Sequence, residues 1–134
     1  LVSTIKGISL SQTFDRGYVY VDWGTQFAFE HTAKYGETQK PVLVTSTGRI
    51  ALDFILAKSG ACYLPKSLAQ PFIDAEQLYP VEGQHRMHRS IYANYVKKSL
   101  NEDKIKTIID VLDDSKPERP VILQTAADSL SEDP

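Results

Sequence analysis

The 134-residue chain sets 15 lysines and arginines against 17 aspartates and glutamates, a formal charge of −2, so the field that draws a freestanding nucleic-acid binder to polyanions is missing. At 42% hydrophobic residues the expectation is one compact domain that buries about two-thirds of the unfolded chain's surface. A single cysteine, Cys62, excludes an internal disulfide framework and favours the cytoplasm, and no apolar run approaches the roughly 18 to 20 residues that span a bilayer.

The chain opens on Leu1 rather than Met, directly in the strand-like LVSTI, which reads as a piece of something longer. Leu1 to Ile5 is read as an extended crossing segment, followed by a Ser-, Gly- and Gln-rich connector up to Gly17. YVYV at Tyr18 to Val21 is a β-type run that ends in Asp22, Trp23 and Gly24, and Thr25 to Lys34 follows with helical spacing through Phe27, Ala28 and Phe29. Gly36 to Lys40 is polar and turn-like.

Pro41 to Pro65 carries the most information. Val42 to Thr45 is a continuous apolar and β-branched run, which predicts a strand of a parallel sheet covered on both faces. Ser46 and Thr47 supply N-cap chemistry for a helix from Gly48 to about Lys58, with Arg49 and Asp53 at i,i+4 on its polar stripe. Ile50, Leu52, Phe54, Ile55, Leu56 and Ala57 occupy so much of its circumference that a deeply sunk helix is expected. Gly60 stands where a left-handed C-cap residue belongs; Ala61 to Leu64 form the next short strand, stopped by Pro65.

Lys66 to about Ala75 predicts a short helix interrupted by Pro71, and Leu78 to Val81 another strand. Glu82 to His88 is polar and rich in His and Arg; Arg89 to Val96 returns to strand composition. Ile105, Ile108, Ile109 and Leu112 make the i,i+3,i+4,i+7 stripe of an amphipathic helix over Asn101 to Leu112, with Asn101 as N-cap and Glu102 and Asp103 in the first turn. From Asp113 the chain is acidic and broken by Pro117 and Pro120. Residues 1–114 are therefore read as the folded part and residues 115–134 as a disordered acidic tail.

The segment VTSTGRIALDFILAKSGACYLP resembles the effector-binding domain of LysR-type transcriptional regulators, where a polar elbow begins a helix that ends in a glycine-containing turn, a short apolar strand and a Leu-Pro. The order of elements from Leu1 to Leu112 is similar too, and the DWG at Asp22 to Gly24 resembles the HdfR-like branch. The family's glycine pair is reduced here to Ser59-Gly60. The resemblance implies an α/β lobe of the type II periplasmic-binding-protein kind, with a mostly parallel sheet covered by helices. On that match the chain is essentially the second lobe, Leu1 to Ile5 and about Ala93 to Lys97 are crossing strands, and the Asn101 to Leu112 helix returns to the first lobe. The implied function is to sense a small-molecule effector between lobes, within a homo-oligomer that reaches DNA only through an N-terminal winged helix-turn-helix outside this chain.

The effector-site candidates are Thr45, Ser46, Thr47 and Gly48, where backbone N–H groups at a helix N-terminus and neighbouring hydroxyls suit an anionic or carbonyl-bearing ligand at a strand's C-terminal edge. An ordinary N-cap is the competing reading. Trp23 and Thr25 follow the other strand at the same kind of edge; Trp23 either walls the cleft or packs in the core with its indole N–H on a carbonyl. His85, Arg86, His88 and Arg89 read as a solvated cationic rim rather than a metal site, because the two histidines lie three apart without a Cys or carboxylate ligand. Cys62 reads as inert, and no metal or cofactor is expected.

No G-x-S-x-G elbow, Walker A loop, HExxH or post-strand G-x-G-x-x-G occurs, so a binder is expected rather than an enzyme. A solute-binding protein lobe is the alternative, and a small α/β enzyme using the Thr45 to Gly48 elbow a weaker one.

Overall fold

Strand β1 (Val2–Ser3) is followed by a helix the composition had hidden, α1 (Leu10–Asp15). Ser9 caps it by accepting from the Gln12 N–H at 3.3 Å, and Thr13 and Phe14 are its buried residues. The expected connector up to Gly17 is thus corrected: polar residues that look like linker are the exposed side of one short turn of helix. Then come β2 (Tyr18–Val21), α2 (Thr25–Tyr35), β3 (Leu43–Thr45), α3 (Gly48–Lys58), β4 (Ala61–Cys62), α4 (Lys66–Asp74) and β5 (Tyr79–Pro80). The computed structural model describes residues 1–36, 40–89 and 101–114, together with Tyr92 and Asn94.

Among the described residues the strands form one five-stranded sheet in the order β3-β2-β4-β1-β5. The class is α/β, as expected, but the mostly parallel sheet is corrected to a mixed one. β2 pairs parallel with β3 and β4, whereas β1 runs antiparallel to both β4 and β5. The reversal comes from the incoming Leu1 to Ile5 segment, whose strand β1 lies between β4 and β5.

Alternation along β2 builds the two cores. Val19 and Val21 meet Ala51, Leu52 and Ile55 of α3, Ala69 of α4 and Cys62 of β4. Tyr18 points the other way, with Phe14 of α1, Phe27 of α2, Ala61 and Tyr63. Each fully buried Leu, Ile or Val contributes about 1.5–3 kcal/mol against leaving it in water. Burial pushes the Cys62 thiol up to about 12, so it stays protonated and unreactive.

Four further expectations change. Val42 and Val44 are 60% and 62% exposed, because β3 ends the sheet and has β2 as its neighbour on one side only; a continuous apolar run does not distinguish a central strand from an edge. α3 is not sunk on all sides: Ala51, Leu52 and Ile55 are fully buried while Ile50 is 54% exposed, and Arg49 pairs with Asp53 at 3.1 Å in solvent, worth about 0.3–0.5 kcal/mol. Ser59, with φ 64°, takes a positive φ directly after α3, one residue before the expected Gly60, whose own φ is 158°. Pro71 does not interrupt α4; its ring is on the exposed side while Leu68, Phe72 and Ile73 pack toward the core and offset the one backbone bond it forfeits. Replacing Val44 by lysine at the open edge is expected to move the urea midpoint by less than the equivalent of about 0.5 kcal/mol, where a buried strand would lose several times more.

Residues 1–89 form one compact unit, and the described residues after them belong to a second. In the second, α5 (Glu102–Asp114) bears out the amphipathic helix, with Ile105 and Ile109 half-buried and Ile108, Val111 and Leu112 exposed. Most of the expected return strand over Arg89 to Val96, and all of the expected tail at 115–134, lie outside the described residues. No helix among the described residues is long and apolar enough to cross a membrane.

Candidate functional site

The parallel pairing of β2 with β3 sets Val21 opposite Thr45, so the turns that leave these two strands emerge side by side at one edge of the sheet. The Asp22 N–H donates to the Thr45 carbonyl at 2.8 Å and locks that alignment. β4 is also parallel to β2, and Tyr63 to Lys66 leave the sheet at the same edge. This is where ligands gather in open α/β sheets, since helix N-termini and strand ends converge there.

Thr45, Ser46, Thr47 and Gly48 form the elbow between β3 and α3. Ser46 and Thr47 are exposed, Thr45 is half-buried and Gly48 is buried. Thr47 is the N-cap residue in extended conformation, yet its side chain makes no capping hydrogen bond; the Thr45 hydroxyl instead accepts from the Thr47 N–H at 3.2 Å. The simple capping reading of Ser46 and Thr47 therefore does not account for their hydroxyls. Gly48 has a steric role as well: a Cβ there would stand 2.7 Å from Trp23 Cη2 and 3.0 Å from Cζ2.

Trp23 is accordingly half-buried against the start of α3, and its indole N–H donates to the Tyr63 carbonyl at 3.0 Å. The core reading of its N–H applies, and its ring packs on both core clusters at the end where the elbows meet. Thr25 is exposed and opens α2 after Gly24, whose N–H is held by the Asp22 carboxylate at 2.9 Å. All six sequence candidates thus lie on two adjacent elbows of one sheet edge.

What the sequence reading missed is an aromatic box beneath that edge. His31 is 5% exposed and shares a 2.8 Å hydrogen bond with the Tyr18 hydroxyl; the rings of Phe14, Tyr20, Phe27, Tyr35 and Tyr63 surround it. Burial pushes the imidazole pKa down and the Tyr18 and Tyr63 phenols up, so all three are neutral near pH 7. Beyond it, Tyr63 donates to the His85 carbonyl at 3.0 Å and the His85 N–H donates to the Tyr35 hydroxyl at 3.0 Å. The Tyr63 proton is thereby committed, so in the 2.6 Å Tyr35–Tyr63 contact Tyr35 is the donor. The signal that could have found the box is the i,i+4,i+8 stripe Phe27, His31, Tyr35. Among the described residues no group of three or more His, Cys, Asp or Glu is placed to hold a metal.

Against proteins of known identity, the chain is 28% identical over 95 residues to the HTH-type transcriptional regulator HdfR of Salmonella newport (strain SL254), with the same figures for HdfR of Salmonella typhimurium (strain LT2) and of Salmonella typhi. The chain resembles the HdfR branch of the LysR-type regulators. The aligned stretch is 71% of this chain but 32% of those relatives, so the chain spans about a third of the length of the curated proteins it matches. No family model matches it, and no solved structure does. The resemblance read from the elbow segment and from Asp22-Trp23-Gly24 is thus supported by similarity running well beyond either motif.

Proposed function

We propose that this chain is a ligand-sensing piece of a LysR-type transcriptional regulator, with Thr45, Ser46, Thr47 and Gly48 contributing one wall of an effector cleft and Trp23 and Thr25 flanking it. The observation that carries the reading is the alignment of the two elbows at the C-terminal edge of parallel strands, with exposed hydroxyls that the helix cap leaves uncommitted. Relatives that are HTH-type regulators support it. The reversed β1, entering from outside the parallel set, fits a crossing strand between two lobes of the periplasmic-binding-protein kind. Residues 1–114 would then be the second lobe with the helix that returns to the first.

In this reading the protein is a cytoplasmic homo-oligomer whose DNA-binding winged helix-turn-helix lies outside these 134 residues, and it performs no catalysis. An anionic or carbonyl-bearing effector accepts from the α3 N-terminal N–H groups and from Ser46 or Thr47, and favours one lobe arrangement over another by about 1–3 kcal/mol. In the longer regulator that contains this chain, Ser46→Ala is expected to weaken effector-dependent operator binding at least about fivefold while shifting unfolding stability by less than about 0.5 kcal/mol, because no capping bond is lost. Intact effector response in that variant would remove Ser46 from the site.

A further inference from the structure

Resting on the elbow as a ligand site, we infer that Trp23 and Tyr63 form a mechanical relay from the elbow to the loop of residues 82–89, the last stretch of the first unit before residue 90. Three contacts in series define it. The benzene edge of Trp23 abuts Gly48, close enough that a Cβ would collide with it. The same edge of the indole, through the neighbouring Nε1, donates its N–H to the Tyr63 carbonyl at 3.0 Å. The Tyr63 hydroxyl then closes a ring of three hydrogen bonds with the Tyr35 hydroxyl and the His85 backbone, at 2.6–3.0 Å.

Tyr63 is the residue at which the two halves meet: its backbone is held by Trp23 and its side chain holds the loop. A displacement of the indole has few places to go. Trp23 packs on both core clusters, and the Tyr63 ring is fixed edge-on against Phe27 at 5.5 Å and His31 at 6.1 Å between centroids. Motion of the Tyr63 backbone therefore swings the phenol against its two partners rather than dissipating in soft contacts. Glu30, 4.0 Å from His85 Nε2, gives the loop a second, weaker hold that does not pass through Tyr63. Ligand at the Ser46 to Gly48 elbow presses on the Trp23 edge, and the clasp at His85 is the output.

No effector is needed to test the relay, which separates its failure from failure of the binding site. Gly48→Ala pushes the indole mechanically. The readouts are the indole N–H chemical shift of Trp23, the sole tryptophan, and the exchange rate of the His85 amide, which donates to Tyr35. The expected result is a moved indole signal and a change in His85 exchange of at least about fivefold. In a Tyr63→Phe background, which keeps the Trp23 acceptor but lacks the hydroxyl, the same Gly48→Ala change should alter His85 exchange by less than about twofold. Should Gly48→Ala fail to fold, Trp23→Phe, which deletes the N–H donor, takes its place with the same pair of backgrounds. An indole that moves while His85 exchange stays constant overturns the relay, as does an equal effect with and without the Tyr63 hydroxyl.

Discussion

Replacing Gly60 by alanine is expected to destabilise the fold by about 3 kcal/mol, the range of an overpacked interior position whose neighbours cannot yield. The added Cβ would stand 2.2 Å from the Gly17 carbonyl oxygen and 3.1 Å from its carbon, and both are backbone atoms. Neither side can move aside cheaply. The Gly17 carbonyl accepts from Ala61 N–H at 3.3 Å, which begins the β2–β4 pairing, while the Gly60 N–H is held by the Thr4 hydroxyl at 2.9 Å and its carbonyl by the Thr4 N–H at 3.0 Å and the Ser3 hydroxyl at 3.2 Å. Gly60 is thus the point where the incoming β1 segment, the end of α3 and the start of β2 are fastened together. A thermal melt should show Tm lowered by at least about 10 °C. Gly7, with nothing within 4 Å of its Cβ position but a φ of 68°, is the control that carries the conformational term alone, about 1 kcal/mol. Equal losses at the two positions would show that the close approach of Gly17 and Gly60 contributes nothing.

That fastening also explains which parts of the fold could be read in advance. A glycine is expected at the α3 exit for its left-handed freedom; Ser59 (φ 64°) and Gly60 (φ 158°) both take positive φ there, and Gly60 is needed also for the space it leaves empty beside Gly17. Conformational demand is local and leaves a signature in the residue types, whereas close approach depends on a segment more than 40 positions away. The same division runs through the rest. β2, α2, α3 and α5 were legible because alternation or a 3.6-residue stripe extends over several residues. α1 was not, since its inward side is only Leu10, Thr13 and Phe14, and six residues hold too little period to recognise. The burial of β3 was misjudged because position within a sheet is a property of the other strands.

The candidate site divides in the same way. Its elbows could be named because strand, polar turn and helix follow one another along the chain, and the sheet register then brought them together. Tyr63 and His31 could not. Tyr63 read as one more residue of an apolar strand, and its importance arises from Trp23, Tyr35 and His85, which lie 40, 28 and 22 residues away.

His31 gives the second large effect, an acid-sensitive fold. Its imidazole is buried with a folded pKa below the ordinary value because burial penalises the charged form. The groups that face it are the Tyr18 and Tyr20 phenols from β2, the Phe14 ring from α1, Phe27 and Tyr35 from its own helix, and Tyr63 from the end of β4. None of these is a carboxylate that could pair an imidazolium. Above the unfolded value of about 6.5 the histidine is neutral in both states and stability does not depend on it. As pH falls below about 6.5 the unfolded chain takes up a proton that the folded chain refuses, so stability declines by up to about 1.4 kcal/mol per pH unit until the lowered folded pKa is reached. Urea titrations at intervals from pH 7.5 down to 5 should therefore show a falling midpoint over the lower part of that range. His31→Gln keeps a polar partner for the Tyr18 hydroxyl but cannot be protonated, and it should flatten the slope above pH 5 even though its stability at pH 7 is lower. An unchanged slope in that variant would mean that the box opens to admit the proton. The loss of stability on acidification would then belong to other groups.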